Sequence, residues 1–354
     1  MTEEPLSPKR RLTWWQLVFP VLVLIVLFGV VLPKYIDYED VWQEITALDG
    51  ASLLLLTLLG IISSWTEAAI YTSLIPGLSY RAGWKAFLGG NTVAGFAPSP
   101  WDIVVRYAMY RGFGVDGSIA GASVIVGGGF QIMFAIMAPV LVLVYWVATG
   151  EATQTGRVLT ALAVAAITGA VLIVALILRR ERIAVRIGNM LQRAADWVFP
   201  KLKRPAPPDV VGSTVGFRRL LLRTLASRWW ISALFLLTMH VIRYFGMLYL
   251  FREVGITARV VSASELLAVY AIGIMMSLMP IVPAGLGVVE LTYVWLLAPD
   301  DPSLADQIAA ATFTHRIFFW LLPIVIGIFP LVGWIRRGGG SMVKVAQSPD
   351  LTPT

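Results

Sequence analysis

Long apolar runs separated by short polar stretches set the pattern of this chain. Continuous runs cover Trp14–Leu32, Ser52–Ile75, Ile119–Val147, Leu159–Leu178, Trp230–Phe251 and Ile308–Trp334. Each is near or above the roughly 20 residues that carry an α-helix through bilayer hydrocarbon. Two further segments, Ala86–Tyr110 and Ser264–Leu297, are similarly apolar but contain Pro98 and Pro100 in the first and Pro280 and Pro283 in the second. Proline removes a helical donor and collides with the preceding turn, so each segment is predicted to be a helix–turn–helix hairpin. A membrane β-barrel would instead show alternating segments of roughly ten residues. The expected fold is an all-α integral membrane protein with six full transmembrane helices and two re-entrant helical hairpins. Ile119–Val147 is long for one span and is expected to bend at Gly127–Gly129.

Composition agrees with this pattern: of 354 residues, 58% are hydrophobic and 14% charged. Cysteine is absent, which excludes disulfides, thiolate metal sites and cysteine nucleophiles. His240 and His315 are too few for a metal site by themselves, and no cofactor is expected. The net charge of +7 is read as a cytoplasmic face beside anionic lipid, and nucleic acid is not expected as a partner.

The distribution of charge tests the count of spans. With six crossings and two hairpins that return to the side they came from, both termini are cytoplasmic. The cytoplasmic segments then hold Lys9, Arg10, Arg11, Arg81, Lys85, Arg106, Arg111, the basic stretch Arg179–Arg228, Arg336, Arg337 and Lys344. External loops hold only Lys34, Arg157, Arg252 and Arg259, beside the acidic "DYED" and "PDD". The asymmetry obeys the positive-inside rule and places the chain as a multi-pass protein of the cell membrane. The N-terminal run is too long for an ordinary signal peptide and reads as an uncleaved first span.

One domain, 1–354, is expected. Within it lies an amphipathic cytoplasmic linker near 180–228, where "ERIAVRIGNMLQRAADWVF" and "GFRRLLLRTLASR" are predicted to lie as helices on the inner leaflet. Solvated cytosolic helices are the alternative for either one. The tail, 338–354, is expected to be disordered. Trp14, Trp15, Trp229 and Trp230 read as interfacial anchors.

The chain also repeats. "NTVAGFAPSPWDIVVRYAMY" aligns with "SLMPIVPAGLGVVELTYVWLL" when Pro98 is matched to Pro283. Each stretch then has an apolar approach, a proline, a small-residue turn, a carboxylate and a second apolar helix. The spans that follow, "SVIVGGGFQIMFAIMAPVLVL" and "ATFTHRIFFWLLPIVIGIFPL", keep the register. The repeats cover about 83–148 and 264–334. The first hairpin comes from the cytoplasm and the second from outside, which makes the repeat inverted, as in many secondary transporters. Broken helices at membrane depth are tolerated where protein or a polar cavity covers them, and a half-helix N-terminus there suits an anionic headgroup.

"PAGLGVVE" at Pro283–Glu290 resembles the "PGGLGxxE" signature of the lysylphosphatidylglycerol synthase/flippase transmembrane-domain family, the membrane half of the bacterial multiple peptide resistance factor and of stand-alone relatives. Asn91, "PSPWDIVVR" at Pro98–Arg106 and "THRIFFWLLPIVIG" at Thr314–Gly327 are similar to its other elements. The resemblance spans roughly residues 15 to 335. It implies a flippase-like helical domain with two re-entrant hairpins, and a homodimer. It departs from the pattern where Trp101-Asp102 replaces the usual Gly-Glu pair. It departs again where the first-half counterpart of Arg316 falls within Gly127–Gly129. Only a short tail follows Lys344, so lipid aminoacylation is not expected.

Ionisable groups within apolar segments are costly and each is a candidate site residue. Asp102 and Arg106 are spaced to pair along one helical face, either gating the first hairpin or forming an interfacial bridge. Glu290 is expected to pair with Arg316, as a gate that releases Arg316 to a lipid phosphate or as a permanent structural pair. Glu67, Arg243 and His240 are placed to line a cavity, with Arg243 a candidate for phosphate. His315 adds a second candidate for proton coupling, and Asn91 is expected to bond the hairpin backbone. Pro98, Pro283, Gly285 and Gly287 shape the turns. The function expected is translocation of an anionic or headgroup-modified lipid, phospholipid or polyprenyl-linked. An intramembrane transferase with Glu290 or Asp102 as base, and a lipid-presenting partner of a separately encoded lipid-modifying enzyme, are the alternatives.

Overall fold

The computed structural model describes residues 46–96, 100–150, 209–278, 285, 287–298 and 300–339, with isolated positions elsewhere. The expected spans Trp14–Leu32 and Leu159–Leu178, the amphipathic segment 181–199, Pro98, Pro280, Pro283 and the tail from 340 lie outside these stretches.

The described residues form α1 (Gly50–Thr72), α2 (Tyr80–Phe96), α3 (Trp101–Gly112), α4 (Gly117–Thr149), α5 (Val210–Glu253), α6 (Ala263–Met276), α7 (Val288–Leu297), α8 (Pro302–Arg316) and α9 (Leu322–Trp334). A π-helical turn, Ile317–Leu321, joins α8 to α9 without a break. Four helical stretches are long and apolar enough to cross a membrane: α1, α4, Arg228–Glu253 within α5, and Pro302–Gly338. They match four of the six expected spans. The two proline-containing segments are helical pairs, α2 with α3 and α6 with α7, each packed arm against arm.

The helix α4 runs without a break through the glycine triplet and Pro139. Gly127 serves close packing: a Cβ there would stand 2.2 Å from the Tyr71 ring. One local expectation is corrected: "GFRRLLLRTLASR" is not a separate surface helix. It is the N-terminal part of the 44-residue α5, capped where Asp209 Oδ1 accepts from the Gly212 amide at 2.6 Å. No proline occurs between Val210 and Glu253, so nothing there terminates the helix. At 1.5 Å per residue α5 is about 66 Å long, about twice the hydrocarbon thickness.

Lipid is as apolar as the side chains it would release, so helix association here depends on close packing and polar contacts. α1 and α5 run antiparallel, tied by Ser52–Tyr249 hydroxyls at 2.5 Å near one end and Ser73–Ser232 at 2.8 Å near the other. Thr92 of α2 donates to the Ile324 carbonyl of α9 at 2.8 Å. The packing partners are exchanged between halves: α2 lies on α9 and α6 lies on α4. Each helical pair therefore leans on the long helix of the other half, and a space remains between them.

Candidate functional site

That space is a cavity of about 570 Å³, lined by residues from every helix from α1 to α8 and from the π-helical turn. Glu67, Asn91, Asp102, Arg106, His240, Arg243, His315 and Arg316, all singled out from the sequence, line it together. They come from stretches up to about 250 residues apart in sequence, and only the fold brings them into one place.

On α1 and α5, Arg243 Nη2 meets Glu67 Oε2 at 2.5 Å and Arg243 Nε donates to Ser63 Oγ at 2.9 Å. Gln131 of α4 donates to Glu67 Oε1 at 3.0 Å. The His315 ring donates from Nε2 to the Arg243 carbonyl at 3.0 Å and stacks on Phe319. Arg243 is thus fixed by a carboxylate whose second oxygen is also satisfied, in a pair that is partly buried.

Where α7 meets α8, Glu290 is 3% exposed and in ion-pair contact with Arg316, although its Oε1 accepts no directed hydrogen bond. Glu290 Oε2 accepts from the Gly287 amide at 2.7 Å, capping the start of α7. Arg316 Nη2 donates to the Gly285 carbonyl at 3.3 Å. Gly285 and Gly287 hold φ of +65° and +79°, values that side chains other than glycine's resist. One guanidinium therefore ties the turn of the second helical pair to α8. Glu290 itself, Gly285 and Gly287 sit behind the cavity wall, while Pro98 and Pro283 lie outside the described residues.

Arg106 is different. It is 5% exposed, its guanidinium lies 4.3 Å from the Tyr71 ring centroid and 5.1 Å from that of Phe87, and its Nε has no hydrogen-bond partner. The expected Asp102–Arg106 bridge is not formed among the described residues, and Asp102 Oδ1 is buried without a partner. Asn91 accepts weakly from Arg106 Nη2 at 3.5 Å. Gly90 makes the approach possible, since a Cβ there would stand 3.2 Å from Arg106 Nε. Two aromatic faces thus hold the cation.

His240 Nδ1 and the Tyr270 hydroxyl are 3.1 Å apart, and the imidazole stacks on Phe134 with ring centroids 4.1 Å apart. Tyr71, Gln131 and Tyr270 were not singled out from the sequence. Their partners lie on other helices, which the sequence alone does not bring together. Only the packing identifies them.

A family model described as the lysylphosphatidylglycerol synthase transmembrane region matches residues 17–327. The chain belongs to the lysylphosphatidylglycerol synthase transmembrane-region family. No match is found among curated proteins. In this member of the family, the matched residues contain both helical pairs and every side chain of the cavity. Where the resemblance expects an arginine as the counterpart of Arg316, this chain has glycine, within Gly127–Gly129. Gly127 admits Tyr71, and Tyr71 carries Arg106 from α3 on its face. Arg106 reaches the cavity from α3, Arg243 from α5 and Arg316 from α8.

Proposed function

We propose that the chain translocates an anionic or headgroup-modified lipid between leaflets, using α2–α3 and α6–α7 as two re-entrant hairpins of an inverted repeat. The observation that carries the reading is Arg106. Of three cavity arginines, Arg243 and Arg316 are each matched by a carboxylate, whereas Arg106 rests on aromatic rings with an unpaired Nε. A phosphate in the cavity supplies the missing acceptor. Asp102, one turn away with an unpartnered oxygen, is placed to meet a cationic group on a modified headgroup.

The exchanged packing supports the inverted repeat. Matching α1 to α5, α2 to α6, α3 to α7 and α4 to the continuous helix α8–α9 converts the α2–α9 contact into α6–α4. It also converts α3–α4 into α7–α8. In this reading Arg316 is a latch that holds the second hairpin's turn through Gly285 and Glu290 until a lipid phosphate competes for it. A transferase using Glu290 as base is disfavoured, because that carboxylate is already held by the Gly287 amide and Arg316.

The test is a leaflet-resolved assay in proteoliposomes with fluorescent phosphatidylglycerol and its aminoacylated derivative. Wild type is expected to move lipid without changing its mass, and Arg106→Gln to slow movement by about tenfold, the weight of a lost charge-assisted hydrogen bond. A change in lipid mass would establish an enzyme. Binding with no movement would establish a lipid-presenting partner.

A further inference from the structure

A second cavity, of about 270 Å³, lies between α4, α5 and α6, and its lining is apolar apart from tyrosine hydroxyls and His240. The residues that form it recur at helical spacing: Phe134, Ala138, Leu141 and Tyr145 on α4, Leu237, Val241 and Tyr244 on α5, Leu267, Ala271 and Ile274 on α6. Its floor is buried, since Ala138, Val142 and Ala271 pack together where α4 meets α6. Its rim is open: Leu141, Tyr145, Leu237 and Val241 are exposed on helices that cross the membrane. His240, Tyr270 and Ile274 line this slot and the polar cavity alike. His240 is 7% exposed, and its Nε2 is buried with no hydrogen-bond partner. The polar cavity and the apolar slot thus share one wall, and the slot's rim is the exposed apolar face of α4 and α5.

We infer that this slot holds one acyl chain of the lipid whose headgroup occupies the polar cavity, with His240 Nε2 at the ester that joins the two. The inference rests on the lipid-binding reading above and extends it to the body of the lipid. The Tyr270 hydroxyl lies 3.1 Å from Nδ1 and 3.4 Å from the His240 carbonyl; in the tautomer whose Nδ1 accepts the hydroxyl proton, the ring proton is on Nε2, which then donates to an ester carbonyl. The imidazole cannot turn away, because Phe134 stacks on one face. An apolar occupant costs the slot walls nothing, and the single polar group needing a partner sits where an ester would pass.

The probe is phosphatidylglycerol with a diazirine on one acyl chain, incorporated with the full chain into proteoliposomes, photolysed, and mapped by mass spectrometry of the peptides. Labelling is expected to concentrate on Leu141, Tyr145, Leu237 and Val241 above that of Phe329 and Trp295, exposed apolar residues remote from the slot. Leu237→Trp, a rim change at an exposed position, should remove it. Unlabelled ester-linked lipid should displace the probe about fivefold better than its ether analogue, the weight of one neutral hydrogen bond, and His240→Leu should abolish the difference. Slot labelling no greater than at Phe329, labelling unchanged in Leu237→Trp, or an ester preference intact in His240→Leu would each overturn the inference. Displacement by a polyprenyl phosphate in preference to the ester lipid would overturn it too. Slot labelling without leaflet movement would uphold it while sinking the translocation reading. Movement without slot labelling would do the reverse.

Discussion

An arginine buried against aromatic rings and one buried against a carboxylate answer differently to mutation. Arg243 and Glu67 neutralise each other in a partly buried pair, so removing either alone strands a charge, at a cost of about 1–2 kcal/mol once solvent screening is allowed for. The double variant Glu67→Leu with Arg243→Met strands none. Unfolding in detergent is expected to show each of Glu67→Leu and Arg243→Met less stable than the double variant; strictly additive losses would mean the pair is not coupled. Arg106 gains a smaller stabilisation from Tyr71 and Phe87 and keeps a donor free. Arg106→Lys retains the charge but loses the planar face. Headgroup binding should therefore fall while the folded fraction holds, and unchanged lipid affinity in a vesicle-binding titration would show that the guanidinium is not the anion contact. Charges inside apolar runs were legible from sequence because nothing else justifies their cost, and Glu67, Arg243, Glu290 and Arg316 were found that way. Arg106 was placed in the site but given the wrong partner. Asp102 at helical spacing suggested a bridge, and only tertiary packing brings Tyr71 and Phe87 closer.

At the scale of helices, glycines decide how closely the elements approach. Leu322 donates to the Ile317 carbonyl in the π-helical turn, and the residue that would serve Phe318 in that register is Pro323, which has no N–H. α1 closes on this carbonyl: a Cβ on Gly60 would stand 2.2 Å from Phe318 O. Gly327 of α9 is likewise 2.3 Å from the Leu88 carbonyl of α2 by the same measure. Gly60→Ala and Gly327→Ala should each destabilise by about 1–3 kcal/mol, whereas Gly128 and Gly333, with open space around them, should accept alanine without loss. Equal melting temperatures for all four variants would refute the close approach. Helix starts add a pH dependence. The Ser118 hydroxyl and amide hold the Asp116 carboxyl below its ordinary range at the head of α4. The Leu304 amide, then the Ser303 hydroxyl, do the same for Asp301 at the head of α8. A depressed folded pKa stabilises above the unfolded value near 3.9 and is lost as pH falls through the folded one. The melting temperature should drop on acidification below about pH 4, and less in Asp116→Asn with Asp301→Asn, because asparagine caps without titrating. A slope identical to wild type would remove these caps as its cause.

For the whole molecule, the two helical pairs were legible in the sequence, because prolines inside apolar segments are local signals. The sequence did not carry the length of α5, since the change from basic to apolar composition at Trp230 looks like an element boundary and no breaker residue marks one. Nor could it show that α2 and α6 exchange partners across the halves, which depends on contacts between residues some 230 apart, such as Thr92 and Ile324. The exchange has a consequence for topology. If α1 descends from outside to cytoplasm and α5 returns, the base of the first pair, at exposed Ser79, is cytoplasmic. The base of the second, at exposed Thr257 and Asp300, is then external. Because the sequence contains no cysteine, single substitutions report without background. Ser79→Cys should react with an impermeant maleimide only in inside-out vesicles, and Thr257→Cys and Asp300→Cys only in right-side-out ones. Labelling of all three from one side would rule out helical pairs that open to opposite faces, which the proposed translocation requires.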